Sequence, residues 1–311
     1  MNSLKVGSLL LGSLLILGGA TMDGCSKPPA DGGAQAPAAD ASPKIPEGDL
    51  IREAKGVDLS KLSEVQIDSF FQLLNSEPSA CGKAHSLATS LRDDAECRDS
   101  LVISQLIADS LAGGISVTDL KLGLPEVVDA LRVRDIDTTG RPVFGKERAP
   151  VTIVVFADFQ CPHCAAEAPV IRKAVREYRG QAKIVYRHFP LNGHTHAKRA
   201  SMATEAAFAE GDEKFWAMHD LVFDNQAELF SDPDQVDAKL RSYAEKIGLD
   251  LAKYDAFMAA NSGEEAIEKD RMDGEKLKIT GTPAVFVNGR YYTPVLFGGT
   301  INGWIDDALR R

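Results

Sequence analysis

The apolar positions of this chain change their period near residue 140. Before that point they recur at helical spacing. In "LSEVQIDSFFQLLN" (62–75), Leu62, Val65, Phe70, Leu73 and Leu74 fall near one face, and Ser63 stands where an N-cap would. "CGKAHSLATSLRDD" (81–94) and "ECRDSLVISQLIADSLAGG" (96–114) follow, the second stopped by Gly113-Gly114. "SVTDLKLGLPEVVDALR" (116–132) is a further helical segment, with a break expected at Pro125. After residue 140 the pattern alternates between types. "VTIVVFA" (151–157) is an unbroken β-branched run, the signature of a strand buried on both faces. A helix of about 15 residues is predicted from Cys161. "AKIVYRHF" (182–189) reads as a second strand. Residues 194–258 read as helical, with Phe215, Met218 and Val222 on apolar faces. "GEEAIEKDRMDGEKLKI" (263–279) predicts one more helix. "AVFVNGRYY" (284–292) is a hairpin turning at Asn288-Gly289, and "INGWIDDALR" (301–310) is a closing helix. Strand, helix, strand, helices, hairpin, helix is an α/β plan with helices over a small sheet. A small all-α domain precedes it.

Composition narrows the setting. The chain has 311 residues, 44% hydrophobic and 26% charged, which is ordinary globular composition. Acids outnumber bases, 45 to 35, for a net charge of −10, which argues against nucleic acid or an anionic membrane as partner of the folded part. The first residues read as an export signal, 1–24. Met1 and Lys5 supply positive charge ahead of "VGSLLLGSLLILGGA" (6–20), too short and glycine-rich for a membrane span. Gly18 and Ala20 would suit ordinary signal cleavage. Gly24-Cys25 instead resembles the end of a bacterial lipobox, with Met22 and Asp23 as departures from it. Residues 25–48 are rich in Pro, Ala and Gly and read as a tether spanning roughly 25–30 Å. A tether has a purpose if its end is tied. The expectation is therefore a lipid on Cys25 and a protein held on the periplasmic side of a bacterial cell envelope.

Export places the cysteines in an oxidising compartment. There are five. Lipidating Cys25 leaves two pairs by position, Cys81/Cys97 and Cys161/Cys164. Cys81 and Cys97 sit on neighbouring helices without C-x-x-C spacing. A bond between them would close a loop of about 17 residues and contribute on the order of 3 kcal/mol. It is expected to be a structural staple; the sharper alternative is a second redox pair.

"CPHC" (161–164) raises a different question. A structural zinc would need two further ligands, and no second C-x-x-C exists. His194, His196 and His219 lie in the helical stretch, where satisfied histidines are commoner than ligands. No metal is expected. As a structural disulfide the pair closes almost no loop, so it would stabilise little. The spacing suits switching. Cys161 would stand at a helix N-terminus, whose unpaired N–H groups and dipole favour a thiolate. Cys164 lies one turn deeper, placed to attack a mixed disulfide. Pro162 occupies a first-turn position where its missing N–H costs nothing. His163, donating to sulfur, would favour the thiolate further. A favoured thiolate favours the reduced form, making the disulfide a stronger oxidant. Asp158 could relay a proton or cap the loop, with capping preferred. Glu167 is expected to face solvent.

"RPVFGKERAPVTIVVFADFQCPHC" (141–164), "HTHAKRASMATEAAFAEGDEKFWAMHDLVF" (194–223) and "GTPAVFVNG" (281–289) together resemble the DsbA-like thiol–disulfide oxidoreductases. These are thioredoxin folds carrying an inserted helical domain. The resemblance covers about 140–311. It implies a DsbA-like domain at 136–311 with its insertion at about 192–260, after a helical domain at 49–135 that lies outside the resemblance. Pro169 matches the proline inside the active-site helix. The resemblance further implies a cis Thr282–Pro283 bond beside the reactive cysteine, where substrate backbone would pair. The expected activity is exchange of the Cys161–Cys164 disulfide with cysteines of exported proteins, as an oxidase. Isomerase or reductase is the alternative, as is a non-enzymatic thioredoxin-fold chaperone or metal-delivery protein. Expected partners are folding exported proteins with thiols and a redox protein that resets the site. No cofactor is expected beyond the redox-active disulfide.

Overall fold

The computed structural model describes residues 45–311; the signal segment, Cys25 and the tether up to residue 44 lie outside the described residues. Ile45 is already held, its N–H and C=O both hydrogen-bonded by the Gln72 amide at 3.0 Å.

Four helices come first: α1 (Glu64–Ser76), α2 (Leu87–Asp93), α3 (Arg98–Ala112) and α4 (Val117–Leu131). Ser63 caps α1 in a reciprocal capping box with Gln66, so two otherwise orphaned N–H groups are satisfied. The expected break at Pro125 does not occur: α4 runs through it. Pro125 itself is exposed, while Leu120, Leu124 and Leu131 of the same helix are buried. Cys81 and Cys97 are joined by a disulfide, Cα–Cα 5.9 Å.

The sheet follows: β1 (Val143–Gly145), β2 (Val151–Ala157), β3 (Ala182–His188), β4 (Ala284–Val287) and β5 (Arg290–Tyr291), in the spatial order β1-β3-β2-β4-β5. β2 and β3 are parallel; every other pairing is antiparallel. The connecting helix of the parallel pair is α5 (Pro162–Glu177). Five helices lie between β3 and the return to the sheet: α6 (Ala197–Phe208), α7 (Asp212–Asp224), α8 (Gln226–Leu229), α9 (Val236–Lys246) and α10 (Leu251–Ala260). Then α11 (Glu264–Lys276) packs back on β3, and α12 (Ile301–Arg310) covers β2 and β4 beside α5. This is a thioredoxin-like fold with a helical insertion.

The unbroken run of β2 is explained by burial on both sides. Val151, Ile153 and Val155 join the apolar layer that holds α5 and α12, whereas Val154 and Phe156 pack with Val185, Phe189 and Phe286 on the other face. The first layer does not stop at the sheet. The same connected cluster includes Phe70, Leu74, Ile103 and Leu124 of α1, α3 and α4. About 80 residues of helix would close a core of their own only marginally; here they share one with the sheet. The β4–β5 turn is a second point of attachment. Asn288 and Gly289 both have positive φ, and Gly289 O accepts the Arg134 N–H at 2.9 Å. A Cβ on Gly289 would lie 2.4 Å from Arg134 O, so no other residue fits there without movement. Residues 45–311 accordingly form one compact unit.

Candidate active site

Cys161 is the N-cap of α5, with Pro162 at the first helical position. Its side chain caps no N–H, so the helix N-terminus keeps free donors next to the sulfur. Cys161 and Cys164 are both free thiols and both buried, 4% and 2% exposed, so exposure does not distinguish them. Their surroundings do. Cys161 Sγ donates to Thr282 O at 3.3 Å, across the loop that carries the cis Thr282–Pro283 bond. Cys164 Sγ lies inward, accepting the Asp158 N–H at 3.5 Å. Burial drives the Cys164 thiol far above its ordinary range, and that one N–H offsets only part of the effect.

A cavity of about 20 Å³, room for one water, lies behind Cys164. Glu167, Tyr186, Trp216, His219 and Pro283 are in its wall. Tyr186 Oη and Trp216 Nε1 are buried there without a hydrogen-bond partner among the described residues. Glu167 departs from the solvent-facing position expected of it. It is half-buried one turn after Cys164, and desolvation raises its carboxyl above the ordinary value. The helix turns position 167 toward the sheet, which the preceding alanines do not reveal.

His163 is exposed, and in this dithiol form its ring donates to neither sulfur, unlike the contact expected of it. The physical reason is the protonation of Cys161. As a thiol it is itself a donor and spends its proton on Thr282 O; only the thiolate would call for a histidine N–H.

Asp158 caps the active-site loop. Its fully buried carboxylate accepts the Gln160 N–H at 2.6 Å, the Leu191 N–H at 2.8 Å and His194 Nδ1–H at 2.8 Å. His194 and His196 lie ahead of α6 rather than within a helix, and Gln160 Oε1 accepts the His196 N–H at 3.0 Å. His219 is buried, and desolvation lowers its pKa despite the Asp220 carboxylate at 2.9 Å. Gln226, which the sequence does not single out, braces the loop from α8: its Nε2 donates to Phe159 O at 2.8 Å and Cys161 O at 3.0 Å. Sixty-five residues separate it from Cys161, so no local pattern could have marked it. No group of three or more His, Cys, Asp or Glu side chains is gathered as a metal site among the described residues.

Comparison with known proteins agrees with this geometry. Residues 137–307 match the family model described as Thioredoxin, more than half of the chain. The probable disulfide bond formation protein D of Bacillus cereus is 30% identical over 154 residues, covering 48% of this chain and 71% of that one. The chain belongs to the thioredoxin family, among its DsbA-like thiol–disulfide oxidoreductases. The structure of oxidised BdbD from Bacillus subtilis shares the fold, with a TM-score of 0.50 at 23% identity over 58% of this chain and 98% of that one. A Na⁺/H⁺ antiporter, NhaA 3 of Salinispora tropica, is 38% identical over 170 residues. The match covers 54% of this chain and 24% of the antiporter, so the chain spans about a quarter of that relative. Among the described residues no helix is long and apolar enough to cross a membrane.

Proposed function

We propose that this protein exchanges its Cys161–Cys164 disulfide with the thiols of exported proteins and works as an oxidase. The observation that carries the reading is Cys161 at the N-terminus of α5, facing the backbone carbonyl that precedes a cis proline. A substrate thiolate attacks Cys161 Sγ. The S–S bond breaks, its electron pair passes to Cys164, and Cys164 takes up a proton. A second substrate thiolate then attacks the substrate sulfur of the mixed disulfide and releases Cys161 as the thiolate. The substrate leaves oxidised by two electrons and the enzyme reduced by two.

Direction depends on how strongly the Cys161 thiolate is favoured. The free N–H groups and dipole of a 16-residue helix act on it at the N-cap. His163, exposed and with no side-chain hydrogen bond among the described residues, can turn its N–H onto the sulfur once the thiolate forms. The test is the equilibrium of the pair with glutathione. A potential near about −120 mV supports an oxidase; one near about −270 mV, the thioredoxin value, makes it a reductase. His163→Ser is expected to make the pair less oxidising by at least tenfold in the equilibrium constant, about 30 mV. An unchanged potential in that variant would remove the histidine from the account.

Resetting the site requires Cys164 to lose its proton and attack a mixed disulfide on Cys161. Burial opposes that loss. Glu167, in the wall of the same cavity, is the base this reading assigns to it. Glu167→Gln is expected to slow resolution of the mixed disulfide about tenfold or more, and to abolish the fall in rate on the acid side of the pH profile. Stopped-flow mixing of the mixed disulfide across pH checks both. We further place the protein on the periplasmic side of a bacterial envelope, anchored through lipid on Cys25. Palmitate labelling that persists in Cys25→Ser would remove the anchor.

A further inference from the structure

The bonded pair Cys81–Cys97 is asymmetric in a way a simple staple does not require. Cys81 lies in an exposed stretch, 81–84, while Cys97 is 5% exposed. Cys97 is the N-cap of α3, a 15-residue helix, and its sulfur caps no N–H. Around the buried sulfur the chain places hydroxyls where an apolar core would have carbon. Ser100 Oγ is 3.1 Å from Cys97 Sγ, and Ser79 Oγ is 3.9 Å away. Ser79, Ser90 and Ser100 are all at least nine-tenths buried. Ser100 Oγ accepts the Ala80 N–H at 3.2 Å, so its own proton is available to the sulfur. Ser79 Oγ accepts the Cys81 N–H at 3.3 Å and pairs with Ser90 Oγ at 2.9 Å. Ser90 in turn meets His85 Nε2 at 3.0 Å.

A disulfide sulfur is a weak acceptor, and a donor aimed at it gains little. A thiolate accepts strongly, and the same donor then makes a charge-assisted bond. The nearest carboxylate in α3 does not cancel this. Asp99 is neutralised by Arg290 at 3.3 Å and Arg311 at 2.6 Å. Asp94 is held by Lys83 at 2.6 Å. The surroundings of Cys97 thus fit a leaving thiolate better than a permanent bond.

We propose that Cys81–Cys97 is a second exchangeable disulfide, opened by a low-molecular-weight thiol at Cys81, the exposed residue of the pair, with Cys97 as the leaving thiolate. The incoming thiolate bonds to Cys81 Sγ, the S–S bond breaks, and its electron pair goes to Cys97 Sγ, where Ser100 Oγ–H and the α3 N-terminus receive it. A second thiolate attacks the small-molecule sulfur and releases Cys81. The small thiol is oxidised to its disulfide, the pair is reduced by two electrons, and two protons from solvent complete the dithiol. The step does not depend on Cys161 or Cys164, so it stands or falls apart from the oxidase reading.

The experiment uses the full chain with Cys161→Ser and Cys164→Ser, equilibrated in glutathione buffers of graded ratio, quenched by alkylation and mapped peptide by peptide. Mapping keeps Cys25 distinct. Cys81 and Cys97 are expected to become alkylatable together while circular dichroism keeps its native form. In the same background, Cys97→Ser should carry glutathione on Cys81 at least tenfold faster than Cys81→Ser carries it on Cys97. Ser100→Ala should move the equilibrium several-fold toward the disulfide. Should the pair stay closed until denaturant unfolds the chain, or the two sulfurs react at equal rates, the proposal is overturned. A Ser100→Ala variant that melts lower but leaves the equilibrium unmoved would make the hydroxyl a packing group and overturn its part in the leaving step.

Discussion

Cys164→Ala is expected to abolish turnover and to leave the protein covalently held to its substrates through Cys161. In this variant the adduct forms when the Cys161 thiolate, at the helix N-cap beside the Thr282 carbonyl, attacks a disulfide of an exported protein, breaking that S–S bond and releasing its other sulfur as the thiolate. Release without a second substrate thiol needs the Cys164 sulfur, one turn deeper and 2% exposed. Removing it leaves a mixed disulfide with no internal thiol to resolve it, so the adduct accumulates and survives non-reducing electrophoresis. Cys161→Ala should trap little, because the Cys164 thiol is kept protonated by desolvation at neutral pH. Adducts on Cys164 in Cys161→Ala, matching those of Cys164→Ala, would reverse the assignment of nucleophile and resolving thiol.

The second large effect is on stability. Asp270 is fully buried on α11, where its carboxylate joins three groups: it accepts from Arg187 Nε and from the His188 N–H at 2.8 Å, and it forms an ion pair with Arg141 Nη2 at 2.7 Å. Arg187 also reaches Asp273 at 2.7 Å, and Arg141 also reaches Glu205 at 2.8 Å. Replacing a whole buried ion network by apolar residues can be neutral, but deleting one member strands the others. Asp270→Ala leaves two guanidinium groups short of a counter-charge and the His188 N–H without its acceptor. The expected loss is about 3–5 kcal/mol, a drop of roughly 10 °C in melting temperature for a chain of this size. Urea unfolding followed by circular dichroism reads it; a loss under about 1 kcal/mol would mean water replaces the carboxylate. Acid tests the same network. Burial alone would raise the Glu205 carboxyl, yet His188 at 2.8 Å and Arg141 hold it at about 2. A folded value below the ordinary 4.5 means its contribution is complete above that pH and is lost as pH falls toward 2. Glu205→Gln should flatten the stability curve across that window.

Features written in adjacent residues were legible beforehand. The run at 151–157, the turn at Asn288-Gly289 and the Ser63 cap depend on a handful of neighbours, and each forms where the pattern places it. Cys161 at the start of a helix is equally local. What escaped reading depends on segments far apart in the chain. Asp158 carries no mark of its bond to His194, 36 residues on, or of how deeply the fold buries it. Glu167 follows two alanines in a polar-looking helix, and only the placement of α5 against β3 and α7 turns it toward a cavity. Pro125 was misread for the opposite reason. A local rule predicted a break, and the packing of Leu120, Leu124 and Leu131 outweighed it. The helices at 64–131 could be read one by one, but not the apolar layer they share with the sheet.

Gln226 and His194 give the inserted helices a consequence for protein engineering. A chimera that exchanged residues 192–260 for the equivalent segment of a relative would look like a clean transplant of a specificity module. It would also replace the amide that grips Phe159 O and Cys161 O, and the imidazole that ties down Asp158. The recipient would keep both cysteines, the cis proline and the whole sheet, yet lose the outside braces on the nucleophile's own peptide units. Grafts that carry Gln226 and His194 across should exchange thiols at the parent's rate, and grafts that drop them should not, whatever substrate surface they bring.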